Sequence, residues 1–117
     1  MKIITQNRKA RHDYFILDTY EAGIKLKGSE IKSIRAGKIN IQDSYVTFKG
    51  GEAHLLGAHI SKFDQSSIFN HDETRTRKLL LNKSEIRKLS NQVDLEGHSV
   101  VPLRVYLKEG LCKVEIA

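Results

Sequence analysis

Apolar and polar positions alternate in twos along much of this chain. In the last segment Val101, Leu103, Val105 and Leu107 fall on one face of an extended strand, with Val100, Pro102, Arg104 and Tyr106 on the other. Glu109-Gly110 supplies a turn. Cys112, Val114 and Ile116 then alternate with Lys113 and Glu115, completing a predicted hairpin. A second hairpin is predicted where Tyr45 to Phe48 meets Gly50-Gly51 and Ala53 to Leu56 runs back, because two glycines accept the positive φ angles of a tight turn. Asp13 to Leu17, Gly23 to Lys27, Ile39 to Ile41 and Lys78 to Leu81 read as further strands.

Two segments follow the helical period instead. Asn82 stands three residues before Glu85, the spacing of a capping box, and Ile86, Leu89 and Val93 recur at helical spacing until Gly97. From Ser29 to Gly37, Ile31 and Ile34 stand three apart, with a serine available to cap the start and a glycine to close the end. A mainly β chain with two or three short embedded helices fits a small barrel of the oligonucleotide-binding type, closed or partly open. A plain β-sandwich fits the same pattern. With one proline, Pro102, and no repeat, linker or low-complexity tract, residues 1–117 read as a single domain.

Composition places the chain among globular proteins: 39% of its 117 residues are hydrophobic and 29% charged. A chain of that size buries about two-thirds of its unfolded surface. Twenty Lys and Arg against 14 Asp and Glu leave a net charge of +6, which draws polyanions, nucleic acid first among them. That excess alone fits a merely soluble basic protein equally well. Cys112 is the single cysteine and cannot form an internal disulfide, which fits the reducing cytoplasm. No apolar run approaches the about 20 residues that span a bilayer, so no membrane partner is expected. Met1 to His12 does not resemble a signal peptide.

Placement of the charge is more informative than its sum. Arg8, Lys9, Arg11 and His12 form a run with no acid before Asp13; guanidinium forks grip phosphate, and a His ring stacks on unpaired bases. A frayed basic terminus has the same composition. Lys32 and Arg35, with Lys38 just beyond, share an exposed face of the short helix if Ile31 and Ile34 face the core. That face could track an RNA backbone or simply be solvated. The stretch Asn70 to Lys78 presents Arg75, Arg77 and Lys78 with interleaved threonines, and Arg75 and Arg77 share a face if the segment is extended. A loop with ion pairs to Asp72 and Glu73 accounts for it too.

Catalytic patterns are poor by comparison. His54 and His59 stand five apart, which matches neither a helical nor a strand metal pair, so no metal or other cofactor is expected. G-x-S-x-G, the P-loop and G-x-G-x-x-G are missing. Against a non-enzymatic RNA-binding protein stand two rivals: an RNA-processing enzyme using His71 or His12 as acid or base, and a barrel bound permanently to ribosomal RNA.

Six motifs then settle into one order: N-R-K-A-R-H-D-Y at 7–14, T-Y-E-A-G-I at 19–24, G-S-E-I-K-S-I-R-A-G-K at 28–38, D-S-Y-V at 43–46, G-A-H-I at 57–60 and T-R-T-R-K-L-L-L at 74–81. With V-P-L at 101–103 and K-V-E-I-A at 113–117, the sequence resembles the small protein B family over nearly its whole length. The resemblance implies an oligonucleotide-binding-type barrel. It also implies a protein that binds the transfer-RNA-like domain of transfer-messenger RNA and escorts it to stalled ribosomes, with neither DNA nor membrane as partner. By similarity the RNA-binding positions include Asn7, His12, Glu21, Leu80 and Asn82; Arg8, Lys9, Arg11, Arg75, Arg77 and Lys78 are phosphate-directed candidates by charge. Glu21 is unusual among them, because a carboxylate repels phosphate but accepts hydrogen bonds from the amino or imino groups of an unpaired base. Its residue type alone fits a solvated acid or a partner of Arg8 or Lys25. Family members continue past the position of Ala117 into a basic tail that enters the messenger channel. The resemblance therefore assigns RNA capture to these 117 residues, and the ribosomal half of the task to the tail that the sequence lacks.

Overall fold

The computed structural model describes residues 1–62 and 72–117. Asn70 and His71, which began the third basic stretch, lie outside the described residues. The strands are β1 (Lys2–Gln6), β2 (Tyr20–Ile24), β3 (Ile39–Asn40), β4 (Tyr45–Lys49), β5 (Glu52–Leu56), β6 (His59–Ile60), β7 (Arg77–Leu80), β8 (Pro102–Lys108) and β9 (Leu111–Ile116). The helices are α1 (Arg8–Asp13), α2 (Gly28–Arg35) and α3 (Lys83–Glu96). Seven strands form one antiparallel sheet in the order β1-β8-β9-β2-β7-β5-β4, and β3 and β6 pair separately. The sheet does not close into a barrel. Its far edge nonetheless reaches back, for the Val46 N–H on β4 donates to the Val100 carbonyl, just before β8, at 2.8 Å. The result is the partly open form of the oligonucleotide-binding architecture.

Both expected hairpins form. Gly50 and Gly51 adopt φ of 61° and 75°, and Glu109 and Gly110 adopt 53° and 79°, so each turn has two left-handed residues whose twist matches the flanking strands. The Asn82 side chain caps α3 by accepting from the Glu85 N–H at 2.9 Å, and Glu85 accepts from the Asn82 N–H at 3.2 Å. Gly97 ends that helix in the left-handed conformation. Alternate residues of the strands, among them Ala22, Leu55, Leu79, Val105 and Val114, pack under Ile34 of α2 and Leu89 of α3.

Three local expectations fail for identifiable reasons. Asp13 to Leu17 is not a strand: Asn7 caps the preceding residues into α1, which ends at Asp13, and residues 14–19 have no regular structure. β1 lies in a segment for which no strand was expected and pairs with β8. The inward face of β8 is not continuous either. Pro102 faces Ile116 and Arg104 faces Glu115, so Leu103 is an extra residue and the side-chain parity reverses there. Val101 and Leu103 consequently pack against Ala10 in a small second core beneath α1, while Val105 joins the main one.

The inward face of α2 holds a charge. The helix starts at Gly28, so Ser29 is not its cap, and Glu30, Ser33 and Ile34 are the buried residues, with Ile31 at the surface. Arg77 Nε donates to Glu30 Oε2 at 2.6 Å, Arg75 Nη2 to Oε1 at 2.6 Å, and the Lys27 N–H to Oε1 at 2.8 Å. Arg77 completes its bonding with the carbonyls of Ala58, Asp72 and Glu73, and both Arg77 and Glu30 are 0% exposed. Arg75 and Arg77 do share a face, as expected of an extended segment, but it looks inward. Arg77, expected to be phosphate-directed, thus has its guanidinium buried against Glu30. Burial alone would raise the Glu30 pKa; the bonds from Arg75, the Lys27 N–H and Arg77 overcome it and hold the carboxyl at about 2.

Because that folded-state value lies below the ordinary 4.5, the ionised carboxylate contributes stability that is fully present above pH 4.5 and drains away as the pH falls towards 2. The contribution is on the order of 3 kcal/mol. Glu30→Gln strands a buried guanidinium and is expected to cost about 3–5 kcal/mol at pH 7 in urea unfolding. The same titration between pH 5 and 2 should show a shallower acid loss in the variant than in the parent; equal slopes would contradict the assignment.

Candidate nucleic-acid interface

The antiparallel registers assemble the outer face of the sheet row by row. Tyr106, Lys113, Gly23 and Leu80 stand in one row across β8, β9, β2 and β7. Arg104, Glu115 and Glu21 form the adjacent row across the first three of these strands. Lys108, Lys25 and Lys78 extend the same alternation towards the other end. Leu80 is 53% exposed, and its Cβ lies 3.2 Å from where a Gly23 Cβ would stand, so the missing side chain on β2 makes room for it.

Glu21 and Glu115 face each other directly, an arrangement that repels unless each is neutralised. They have separate partners. Glu115 is paired with Arg104, whose Nε is 3.2 Å away, and with Arg11 of α1, also at 3.2 Å. Glu21 accepts the Tyr106 hydroxyl at 2.7 Å and lies 3.6 Å from Lys108 Nζ. The Tyr106 bond is the largest influence lowering the Glu21 pKa, with Lys108 and Lys113 assisting against burial. Burial and the Glu21 carboxylate in turn push Tyr106 up to about 12. The Arg104 guanidinium lies over the Tyr106 ring, 4.9 Å from its centroid.

The N-terminal basic run is ordered as α1. Asn7 is buried: its Oδ1 accepts from the Ala10 N–H at 3.1 Å, and its Nδ2 donates to the carbonyls of Pro102 at 3.0 Å and Ile41 at 3.4 Å. Asn7, expected as an RNA-binding position, thus has its side chain buried beneath α1, where it positions that helix. Arg8 is exposed, Lys9 pairs with Asp43 at 2.9 Å, and the His12 ring is 88% exposed beside Asp13. Through Arg11 this helix borders the outer face. Arg75 is tied to Glu30, and Lys78 pairs with Glu52 at 3.1 Å. Asn82 is exposed but its side chain is engaged in the α3 cap. Lys32 and Arg35 are exposed on α2. His54 and His59 each pair with a carboxylate, Glu52 and Glu73. Among the described residues no cluster of three His, Cys, Asp or Glu could hold a metal, and no helix is long and apolar enough to cross a membrane.

Sequence reasoning missed Arg104, Tyr106, Lys108 and Lys113. Their signal was the polar alternation of the last hairpin, which pointed to a solvent face without saying what lay beside it.

A partly open oligonucleotide-binding sheet with cations gathered around one exposed carboxylate belongs to the class of small β nucleic-acid-binding proteins. The family model described as SmpB protein matches residues 4–117. The SsrA-binding protein of Acholeplasma laidlawii (strain PG-8A) is 62% identical over 117 residues, 100% of this chain and 78% of that one. That of Shouchella clausii (strain KSM-K16) is 56% identical over 115 residues, covering 98% and 74%. A solved structure described as "tmRNA-SmpB: a journey to the center of the bacterial ribosome" matches with a TM-score of 0.80 and 47% identity, over 97% of this chain and 80% of that one. The chain belongs to the SmpB family.

Asn7→Ala removes a cap and leaves the Pro102 and Ile41 carbonyls without that donor. The expected loss is about 2 kcal/mol in urea unfolding, against less than about 0.5 kcal/mol for the exposed neighbour Arg8→Ala.

Proposed function

We propose that this chain binds the transfer-RNA-like domain of transfer-messenger RNA and delivers it to stalled ribosomes for trans-translation. The carrying observation is Glu21, a 39% exposed carboxylate set among Arg104, Lys108 and Lys113 on the outer sheet face. A surface built only for affinity would place no acid there; one that reads a base edge would. Leu80 offers an apolar platform to a base, and the exposed His12 ring a stacking surface. Arg11, Lys25, Lys78, Arg104, Lys108 and Lys113 would neutralise phosphates around them. Arg8 and Lys9 on α1, and Lys32 and Arg35 on α2, would extend the basic surface beyond this face. The protein acts by binding rather than by making or breaking bonds, in the cytoplasm where ribosomes work and a lone thiol such as Cys112 stays reduced.

Competition between transfer-messenger RNA and ordinary transfer RNA tests the reading, with preference for the former expected. If about six cations contact phosphate, log affinity should fall against log salt with a slope of about −4 to −5. Glu21→Gln should reduce the preference more than it reduces binding to ordinary transfer RNA. A flat salt response, or equal affinity for the two RNAs, would sink the proposal.

A further inference from the structure

Glu21 is flexible by nature and surrounded by lysines, yet a carboxylate that reads a base must be held still and kept from pairing with the nearest cation. Two strand spacings, about 9–10 Å, separate β8 from β2 across β9, and the Tyr106 and Glu21 side chains together bridge them, with the hydroxyl 2.7 Å from Glu21 Oε1. The ring itself is fixed. It is 4% exposed, stands between cross-strand neighbours Ile3 on β1 and Lys113 on β9, and lies beneath the Arg104 guanidinium. Lys108 Nζ, at 3.6 Å, also approaches Oε1, so Oε2 is the oxygen left for a ligand among the described contacts. We propose that Tyr106 is a positioning residue for RNA selectivity, holding Glu21 Oε1 so that Oε2 is presented, preorganised, to an amino or imino group of an unpaired base.

This inference rests on the reading of Glu21 as a base-recognition residue. Preorganisation works by sparing the entropy of immobilising a side chain during binding. Without the phenol, Glu21 would fall to Lys108 or Lys113, and an incoming base would have to displace a lysine.

Tyr106→Phe keeps the ring, its burial and the Arg104 contact, and removes only the hydroxyl. It is expected to weaken transfer-messenger RNA binding about tenfold, leave binding to ordinary transfer RNA within about twofold, and melt near the parent temperature. In a Glu21→Gln background the same substitution should change affinity little, since the group it positions is no longer a carboxylate. A pH profile supplies a readout that a merely structural role would not move. The hydroxyl lowers the Glu21 pKa, so in Tyr106→Phe the carboxyl should protonate, and selective affinity fall, at a higher pH than in the parent. The charged groups facing Glu21 in that titration are Arg104 and Lys108 of β8, and Lys113 and Glu115 of β9. Loss of selectivity in Glu21→Gln but not in Tyr106→Phe would overturn the positioning role alone. No loss in Glu21→Gln would overturn the base-reading role and this inference with it. Equal weakening on both RNAs in Tyr106→Phe, or full additivity of the two substitutions, would make Tyr106 structural and also reject the inference.

Discussion

The burial of Glu30 between Arg75 and Arg77 governs more than the stability of one helix. Arg77 occupies a strand with neighbours on both sides, β2 and β5, and its guanidinium must point inward to meet Glu30 and the carbonyls of Ala58, Asp72 and Glu73. Strand side chains alternate, so an inward Arg77 forces Lys78 and Leu80 outward. A slip of one residue would put a guanidinium in solvent and bring Lys78 into the core. The ion pair inside the sheet thereby sets which residues appear outside it, and puts Leu80 over Gly23.

On the outer face electrostatics is a matter of separation rather than sum. Two glutamates stand opposite each other, which by itself is unfavourable. Glu115 is committed to two arginines and serves to anchor α1 and Arg104. Glu21 is held chiefly by a neutral donor, the Tyr106 hydroxyl, with Lys108 farther off at 3.6 Å. Two identical side chains a strand apart are thus given unlike tasks by their neighbours.

Much of the fold was legible in the sequence because its signals are local. Two hairpins with left-handed turn residues, the capping box at Asn82 and the stop at Gly97 all act within a few residues. What could not be read depends on distant contacts. α1 exists because Asn7 finds the Pro102 and Ile41 carbonyls, and β1 because β8 offers an edge. Of the candidate site residues, the resemblance named Glu21 and Leu80 and charge named Arg11 and Lys78, which the structure places on or beside one sheet face. The burial of Arg77 was not legible, since an arginine bound for a buried carboxylate looks the same in sequence as one bound for phosphate. Tyr106 was invisible for the opposite reason, reading as one more strand aromatic until β9 placed it within reach of β2.

The extra residue at Leu103 gives β8 membership in two cores. Its first part supports α1 through a cluster of Ala10, Val101 and Leu103, and its second belongs to the main body. That small cluster holds α1 together with the Asn7 bonds and the Arg11–Glu115 pair, and a local opening of these would leave the sheet intact. Amide hydrogens of Arg11 and Tyr14, bonded within that helix region, would then exchange with solvent through this partial opening, long before those of β8 and β9 whose release needs the whole molecule to unfold. The basic helix beside the outer face is in this sense seated on the bulge, with Asn7 and Arg11 as its further ties.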